Sequence, residues 1–488
     1  MGKPHIPFPK QGTTKEEILR IMHAAREKDI RWQDGRAFSL IYHAGEALDE
    51  LLKTVTLLFF SENGLNPTAF PSLQRFEAEV VSMVADLLNG DENTVGNMTS
   101  GGTESILMAV KAARDWGQAN RPNIQPPEII LPRSAHPAFE KAAHYFGLKV
   151  IHTPLRHDFR ANPQAIRQAI TPNTVLIVGS APAYPHGVVD PIPELAKIAQ
   201  QAGVLCHVDA CVGGFMLPFV ERLGYPVPPF DFRVPGVTSI SADLHKYGYA
   251  AKGASVILYR HSHLRRYQLF ACTDWPGGIY ASGAMTGTRP AGPIAAAWAA
   301  LKFLGEDGYL EITKKVMETV MNIRAGIANI PGITILGNPE MGVMALAGEG
   351  VDIYEVGDEM GLRGWHLDRQ QFPPSLHLTI NALHVGMEQA FLDDLAVAVA
   401  RARRLTLHKI ANKVLVYGTR WLTRLLPDRL VSTLTTKASG LLAGSGGGLP
   451  NRTAAMYGMM GTLPNRGDLK ELVLDLVEGF TRVPANDD

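Results

Sequence analysis

Between Thr94 and Arg260 the chain alternates short apolar runs, at 128–131, 149–152, 174–178, 204–209, 238–242 and 255–259, with stretches of helical periodicity. Brief β-rich runs flanked by helices predict a mainly parallel sheet covered by helices, an α/β fold. In sheets of that kind functional side chains collect at the carboxyl ends of the strands. One pattern thus predicts both the architecture and the place to look for chemistry.

The flanks read differently. Residues 15–89 place apolar side chains three and four apart in the runs 18–25, 47–60 and 73–88, which predicts helices. From Gly305 a long helix to Asn329, short strands near 333–336 and 343–347, and a helix over about 387–408 predict a smaller α+β domain. The expected division is a helical arm over 1–92, a large domain over 93–304 and a small domain over 305–488. At 488 residues the chain is longer than one core usually supports.

Lys and Arg number 47, as do Asp and Glu, so net charge gives no support for binding nucleic acid. The balance hides a concentration. Residues 401–437 hold nine basic side chains, among them Arg401, Arg403 and Arg404, against one acid, Asp428, interleaved with Leu405, Ile410, Trp421 and Leu422. Two readings fit: a solvated basic helix packed on its own domain or on a subunit partner, or an interfacial helix touching anionic lipid. With the glycine-rich stretch that follows, it forms a basic amphipathic insertion over about 401–450. Three cysteines without a C-x-x-C spacing make no disulfide framework and no zinc site, which fits a reducing compartment. Residues 1–20 lack the apolar core of a signal peptide, and no charge-free apolar run reaches the roughly 18 residues of a membrane span. A cytoplasmic protein with at most peripheral membrane contact is expected.

Four motifs carry chemistry. Ser241-Ala-Asp-Leu-His-Lys246 closes an apolar strand and runs on through Tyr-Gly-Tyr-Ala-Ala-Lys252-Gly. A lysine at a strand end beneath a cofactor can be desolvated enough to react as a neutral amine, which suits Lys246 to Schiff-base formation. His207-Val-Asp209 places an acid at a strand end, where it either caps the next helix or pairs with a cation. The protonated pyridine nitrogen of pyridoxal phosphate is such a cation. Thr99-Ser-Gly-Gly-Thr-Glu104 opens a helix, so Gly101, Gly102 and Thr103 would offer N–H and hydroxyl groups to a phosphate, although a plain turn and cap would look the same. His136, just after the run at 129–131, offers a flat ring that either stacks on a cofactor or is structural. Coincidence does not readily give this order of phosphate cup, ring, acid and lysine, each at a strand end or helix start.

With these residues in place the sequence resembles the fold-type I pyridoxal phosphate enzymes, in the group II decarboxylase-like branch, and within it the sphingosine-1-phosphate lyases. The blocks that carry the likeness are Trp32-Gln-Asp-Gly-Arg36, 99–105, Tyr184-Pro-His-Gly187, 207–215, Phe230-Asp-Phe-Arg233, 239–253, Trp275-Pro-Gly-Gly-Ile-Tyr280, Gly287-Thr-Arg-Pro290, Gln371-Phe-Pro-Pro-Ser375 and Met456-Tyr457-Gly458. The resemblance implies a large domain with a mainly parallel seven-stranded sheet, a smaller C-terminal α+β domain, and a homodimer with active sites at the subunit interface. Lys246 would hold pyridoxal phosphate as a Schiff base, Asp209 would pair with the pyridine nitrogen, and His136 would stack on the ring. Gly101, Gly102, Thr103 and His245 would bind the cofactor phosphate, with Thr288 reaching in from the other subunit. Tyr42 and Tyr184 match tyrosines around the reacting carbons and the substrate phosphate, and Lys252 matches the lysine that binds that phosphate. The implied reaction breaks the C2–C3 bond of a phosphorylated sphingoid base, giving phosphoethanolamine and a long-chain aldehyde. Tyr184, Lys246 and Lys252 are unranked candidates for proton transfer, with Tyr42 beside them.

The chain departs from the family pattern at two positions near the expected site. Phe38 stands where a small residue is usual, and Asn66 replaces a histidine at the substrate phosphate; an amide can donate a hydrogen bond but adds no charge. Both keep open a pyridoxal phosphate-dependent amino-acid decarboxylase. A catalytically silent scaffold at a membrane is disfavoured, since Lys246, Asp209, His136 and the cup are intact. Eukaryotic members of the family carry an N-terminal membrane helix that is not seen here, so the 401–437 stretch is the candidate for membrane docking.

Overall fold

The computed structural model describes residues 5–39, 41–66 and 68–404, with a few helical positions between Lys470 and Glu478. The basic stretch beyond Arg404, the glycine-rich stretch and Met456-Tyr457-Gly458 lie outside the described residues.

Three helices come first: α1 (Lys15–Arg26), α2 (Glu46–Leu58) and α3 (Pro71–Leu87). The large sheet and its helices follow as β1 (Val95–Thr99), α4 (Gly102–Asn120), β2 (Glu128–Pro132), α5 (Ala138–Phe146), β3 (Lys149–Thr153), α6 (Pro163–Ala169), β4 (Thr174–Ser180), α7 (Ile192–Ala202), β5 (Leu205–Asp209), α8 (Leu217–Arg222), β6 (Ser239–Ala242), β7 (Ser255–Tyr259) and α9 (Ser262–Arg265). A hairpin of β8 (Phe270–Cys272) and β9 (Tyr280–Ser282) leads into α10 (Ala291–Ala328). The last part comprises β10 (Ile333–Ile335), β11 (Val343–Gly348), α11 (Ile353–Gly361), β12 (Asp368–Gln370), β13 (Ser375–Thr379) and α12 (Glu388–Arg403).

The seven-stranded sheet has the order β1-β7-β6-β5-β4-β2-β3. Strands β3, β2, β4, β5 and β6 pair in parallel, while β7 runs antiparallel to both β6 and β1. Two reversals return β1 to the direction of β6, so β1, β2, β3, β4, β5 and β6 all end on the same edge. Every residue of β2, β4, β6 and β7 is buried, as expected of strands covered on both faces. Strand β1 is absent from the sequence expectation, because its Gly96-Asn97 centre masks the apolar pattern. Helix α10 begins at Ala291 rather than Gly305, and Gly305 is where its backbone leaves the helical region, at φ 57° and ψ −176°.

A second, antiparallel sheet has the order β10-β11-β13-β12. It meets the large sheet at a tight seam. At Gly187, φ +71°, an added Cβ would lie 1.8 Å from the Val343 carbonyl oxygen, so only glycine fits. Beside it Arg160 Nη2 reaches Glu340 Oε1 at 2.5 Å, and the other Glu340 oxygen accepts from Val189 N at 2.9 Å. These bonds tie the loop after β4 to the small sheet.

The structure shows where the added bulk of Phe38 goes. Phe38 is fully buried, stacked on His384 at 4.3 Å and packed against Trp365 and Phe391, so its bulk fills the core between the N-terminal segment and the small sheet. Phe38→Ala should therefore cost about 3–5 kcal/mol in chemical denaturation, while the KM of the folded enzyme stays within about twofold, a difference of under half a kcal/mol.

Candidate active site

Of the six strands that end on the common edge, all but β3 are followed or closed by a residue singled out from sequence: Gly101 after β1, His136 after β2, Tyr184 after β4, Asp209 closing β5, and His245 with Lys246 after β6. The parallel ladder places them together although they are spread over 146 positions of chain, from Gly101 to Lys246.

Helix α4 starts at Gly102 with Gly101 as its N-cap and makes no side-chain cap, so its first-turn amides remain available to an anion. Gly102 has no room for a side chain: a Cβ would lie 2.8 Å from both Cys211 Sγ and Asp243 Oδ2. Thr103 is exposed in the first turn. Beneath the cup, Thr99, Ser105 and Ser255 share a buried hydroxyl chain at 2.7 and 2.9 Å. Glu104 folds back on Ser100 N at 2.7 Å and accepts from Met285 N at 2.8 Å, fixing the turn.

Lys246 Nζ lies 2.9 Å from Asp243 Oδ2. Burial pushes its amine down, but Asp243 outweighs that and the net direction is up. Asp243 stands three residues before Lys246 in the same motif, a spacing that sets the two side chains together in a turn. His245 accepts from Ala254 N through Nδ1 at 3.2 Å, and burial holds its ring below the ordinary histidine value. His136 accepts from Ala138 N through Nδ1 at 3.1 Å; burial likewise lowers it, against the pull of Asp209, leaving a neutral flat ring. Asp209 is only 8% exposed, and its Oδ1 accepts from Cys211 N at 3.1 Å.

Two tyrosines and a second lysine stand over Lys246. Burial pushes the Tyr42 phenol up to about 12, with Lys246 pulling against it. Its ring packs edge-on against Tyr247 at 5.1 Å, and Lys252 Nζ sits 5.2 Å over its face. Burial, then Lys246, push the Lys252 amine down, the opposite of Lys246. Tyr184 donates to Asp368 Oδ2 at 3.3 Å and stacks on His377 at 4.0 Å; burial and that carboxylate hold its phenol well above the ordinary value. Asp368 and His377 lie on β12 and β13, so the small sheet supplies both neighbours of Tyr184. Neither was found from sequence, because short, polar β12 gives no strand pattern.

Tyr42 and Lys252 open onto a cavity of about 500 Å³ walled by Trp32, Ile41, Leu48 and Leu52. Asn66 and Thr288 are placed elsewhere. Asn66 lines a second cavity with Gly287 and Arg289, and its Oδ1 is used in a local turn, accepting from Thr68 N at 3.0 Å and Ala69 N at 3.3 Å. Thr288 Oγ1 accepts from Asn63 at 3.2 Å. Among the described residues no cluster of His, Cys, Asp or Glu could hold a metal ion, and no helix is long and apolar enough to cross a membrane.

An uncapped helix N-terminus, a half-shielded carboxylate, a neutral ring and a buried amine on one strand edge fit the phosphate, pyridine nitrogen, ring face and aldehyde of pyridoxal phosphate. Fold and site together define a pyridoxal phosphate-dependent enzyme. The family model of the pyridoxal-dependent decarboxylase conserved domain matches residues 8–347. Sphingosine-1-phosphate lyase 1 of Rattus norvegicus is 45% identical over 414 residues, 84% of this chain and 72% of its own length. The solved sphingosine-1-phosphate lyase of Burkholderia pseudomallei superposes with a TM-score of 0.79 at 40% identity, covering 85% of this chain and 96% of that one. A probable L-aspartate decarboxylase of Pyrococcus furiosus is 35% identical over 360 residues, 74% of this chain and 94% of its own length. The chain belongs to the sphingosine-1-phosphate lyase family, and it is a lyase whose cofactor is pyridoxal phosphate.

In the cofactor-free protein Asp243 holds the proton on Lys246. Asp243→Asn should move the pH at which pyridoxal phosphate is captured half-maximally downward, since a neutral amine then becomes available at lower pH. Stopped-flow absorbance of Schiff-base formation measures this, and an unmoved pH profile would contradict the ion pair.

Proposed function

We propose that this chain cleaves the C2–C3 bond of a phosphorylated sphingoid base, releasing phosphoethanolamine and a long-chain aldehyde. The observation that carries the reading is the gathering of Tyr42, Tyr184 and Lys252 around Lys246. It supplies proton-transfer groups and a cation for a phosphate where a decarboxylase would need a carboxylate site. When bound, pyridoxal phosphate supplies an electron sink for the pair left by the broken bond.

The chain's own residues do the rest. In this reading Asp209 keeps the proton on the cofactor's ring nitrogen, His136 covers the ring face, and the first turn of α4 with His245 binds the cofactor phosphate. Lys246 holds the cofactor and yields its place to the substrate amine. Tyr42, by its hydroxyl, and Lys252, by its charge, hold the substrate phosphate. Tyr184 is protonated at neutral pH, since burial and Asp368 raise its phenol, and so it is the donor to C2. Lys246, which leaves as a neutral amine when the substrate amine takes its place, is the acceptor of the C3 hydroxyl proton, so Lys252 keeps the charge that holds the phosphate.

The reading includes a homodimer in which Asn66 and Thr288 of one chain complete the site of the other. In a single chain Asn66 lines a different cavity from the one that holds Tyr42 and Lys252, which supports it. Sedimentation equilibrium should give twice the chain mass, and a monomer that is fully active would refute it. A cytoplasmic location, with docking of the 401–437 stretch on anionic lipid, belongs to the same proposal on sequence grounds alone.

The deciding experiment incubates the enzyme with dihydrosphingosine phosphate and traps the aldehyde, while carbon dioxide is measured from amino acids. Aldehyde without carbon dioxide is expected. Lys246→Ala should abolish turnover, and Tyr184→Phe should lower kcat by about 10²–10⁴-fold. Carbon dioxide without aldehyde would instead establish a decarboxylase.

A further inference from the structure

Behind Asp209 the large sheet holds a line of buried polar groups with no part in the steps above. His207, two residues earlier on β5, is fully buried. Across the β5–β6 ladder His207 pairs with Ser239 and Asp209 with Ser241. His207 Nδ1 is 2.9 Å from Ser239 Oγ, and Nε2 is 3.2 Å from Ser241 Oγ. Ser241 Oγ is also 3.4 Å from Asp209 Oδ1 and 3.3 Å from Cys211 Sγ. Phe139 closes the far side of the imidazole, edge-on at 5.8 Å.

Proton counting leaves one arrangement. The Asp209 carboxylate can only accept, so Ser241 gives it the single hydroxyl proton. The Ser241 oxygen must then accept, from the His207 Nε2–H and from the Cys211 thiol, which burial keeps protonated. Burial pushes His207 down to about 4, against the pull of Asp209, so the ring is neutral and its Nδ1 takes the Ser239 proton. Every bond points toward Asp209. With Cys211 N also on Oδ1, that oxygen is held from two sides, and Oδ2 carries none of these bonds.

We propose that His207 is a positioning residue for the cofactor: acting through Ser241, it locks the Asp209 carboxylate so that Oδ2 stays directed at the ring nitrogen. The proposal rests on the reading of Asp209 as the partner of that nitrogen. A neutral imidazole does this without competing charge; the charged group whose field reaches it is Asp209 itself. A histidine that merely filled the core would need no donor chain ending on a carboxylate.

The test uses the full chain, freed of cofactor and titrated with pyridoxal phosphate, followed by tryptophan fluorescence and visible absorbance. His207→Leu should weaken cofactor affinity about tenfold, the scale of one hydrogen bond to a charged group. It should also raise the pH midpoint of the visible band by about one unit, because a ring nitrogen that holds its proton less firmly leaves the Schiff-base nitrogen more basic. Ser241→Ala should do the same, the double variant should be no worse than Ser241→Ala alone, and His207→Gln, which keeps an N–H donor, should restore most of both. A lower melting temperature of the cofactor-free His207→Leu protein with affinity and band unchanged would overturn the proposal. If His207→Leu does not fold, Ser241→Ala with wild-type affinity and band would overturn it equally. Asp209→Ala is the control: if it leaves the cofactor unaffected, the reading of Asp209 fails, and the role of His207 fails with it.

Discussion

Seven strands hydrogen-bonded side by side, with helices over both faces, leave polar side chains few places to stand. Within the ladder the buried polar side chains are neutral and bonded to one another, so a charge can be tolerated only at strand ends. Six of the seven strands stop on the same edge, and the acid, the lysine, the rings and the helix N-terminus that define the site all sit there. The catalytic groups are local to one another because the ladder is rigid, although the chain between them is long.

The charges at that edge are not independent. Lys246 and Lys252 lie six residues apart in one segment, yet their amines are driven in opposite directions. The largest raising influence on Lys246 is Asp243, which pairs with it directly and acts on Lys252 only from farther off. Tyr42 stands between the two lysines electrostatically, buried enough to keep its proton and close enough to feel Lys246. In the cofactor-free protein a single segment after β6 thereby provides two amines of unequal proton affinity.

The strands β2 to β7 were legible in the sequence as short apolar or β-rich runs between helical stretches, clearest in β2, β4 and β7, where burial on both faces favours apolar residues. Strand β1 was not: Gly96 and Asn97 suit their place against β7 but carry no strand signal of their own. The cofactor residues could be read because each follows a strand end in a fixed order, and the family likeness named their roles. What the sequence concealed depends on tertiary contact. Phe38 is bulkier than the family pattern, and only the packing of the small sheet shows where that bulk goes. Asn66 matches a substrate-phosphate position by family likeness, and sequence does not show that its carbonyl is used in a turn beside a second cavity. Asp368 and His377 could not be assigned to Tyr184 from sequence, since nearly two hundred residues separate them and only the seam at Gly187 brings them together.

That seam makes Tyr184 a shared possession. Its backbone belongs to the loop after β4, while the carboxylate that holds its hydroxyl and the ring it rests on belong to the small sheet. The acidity of this one phenol therefore reports the distance between two separately hydrogen-bonded layers. Anything that pries them apart removes Asp368 from the hydroxyl and admits water, so the tyrosine becomes a stronger acid at the moment the layers open. The fold has in this way set the acidity of one phenol at the contact between two layers.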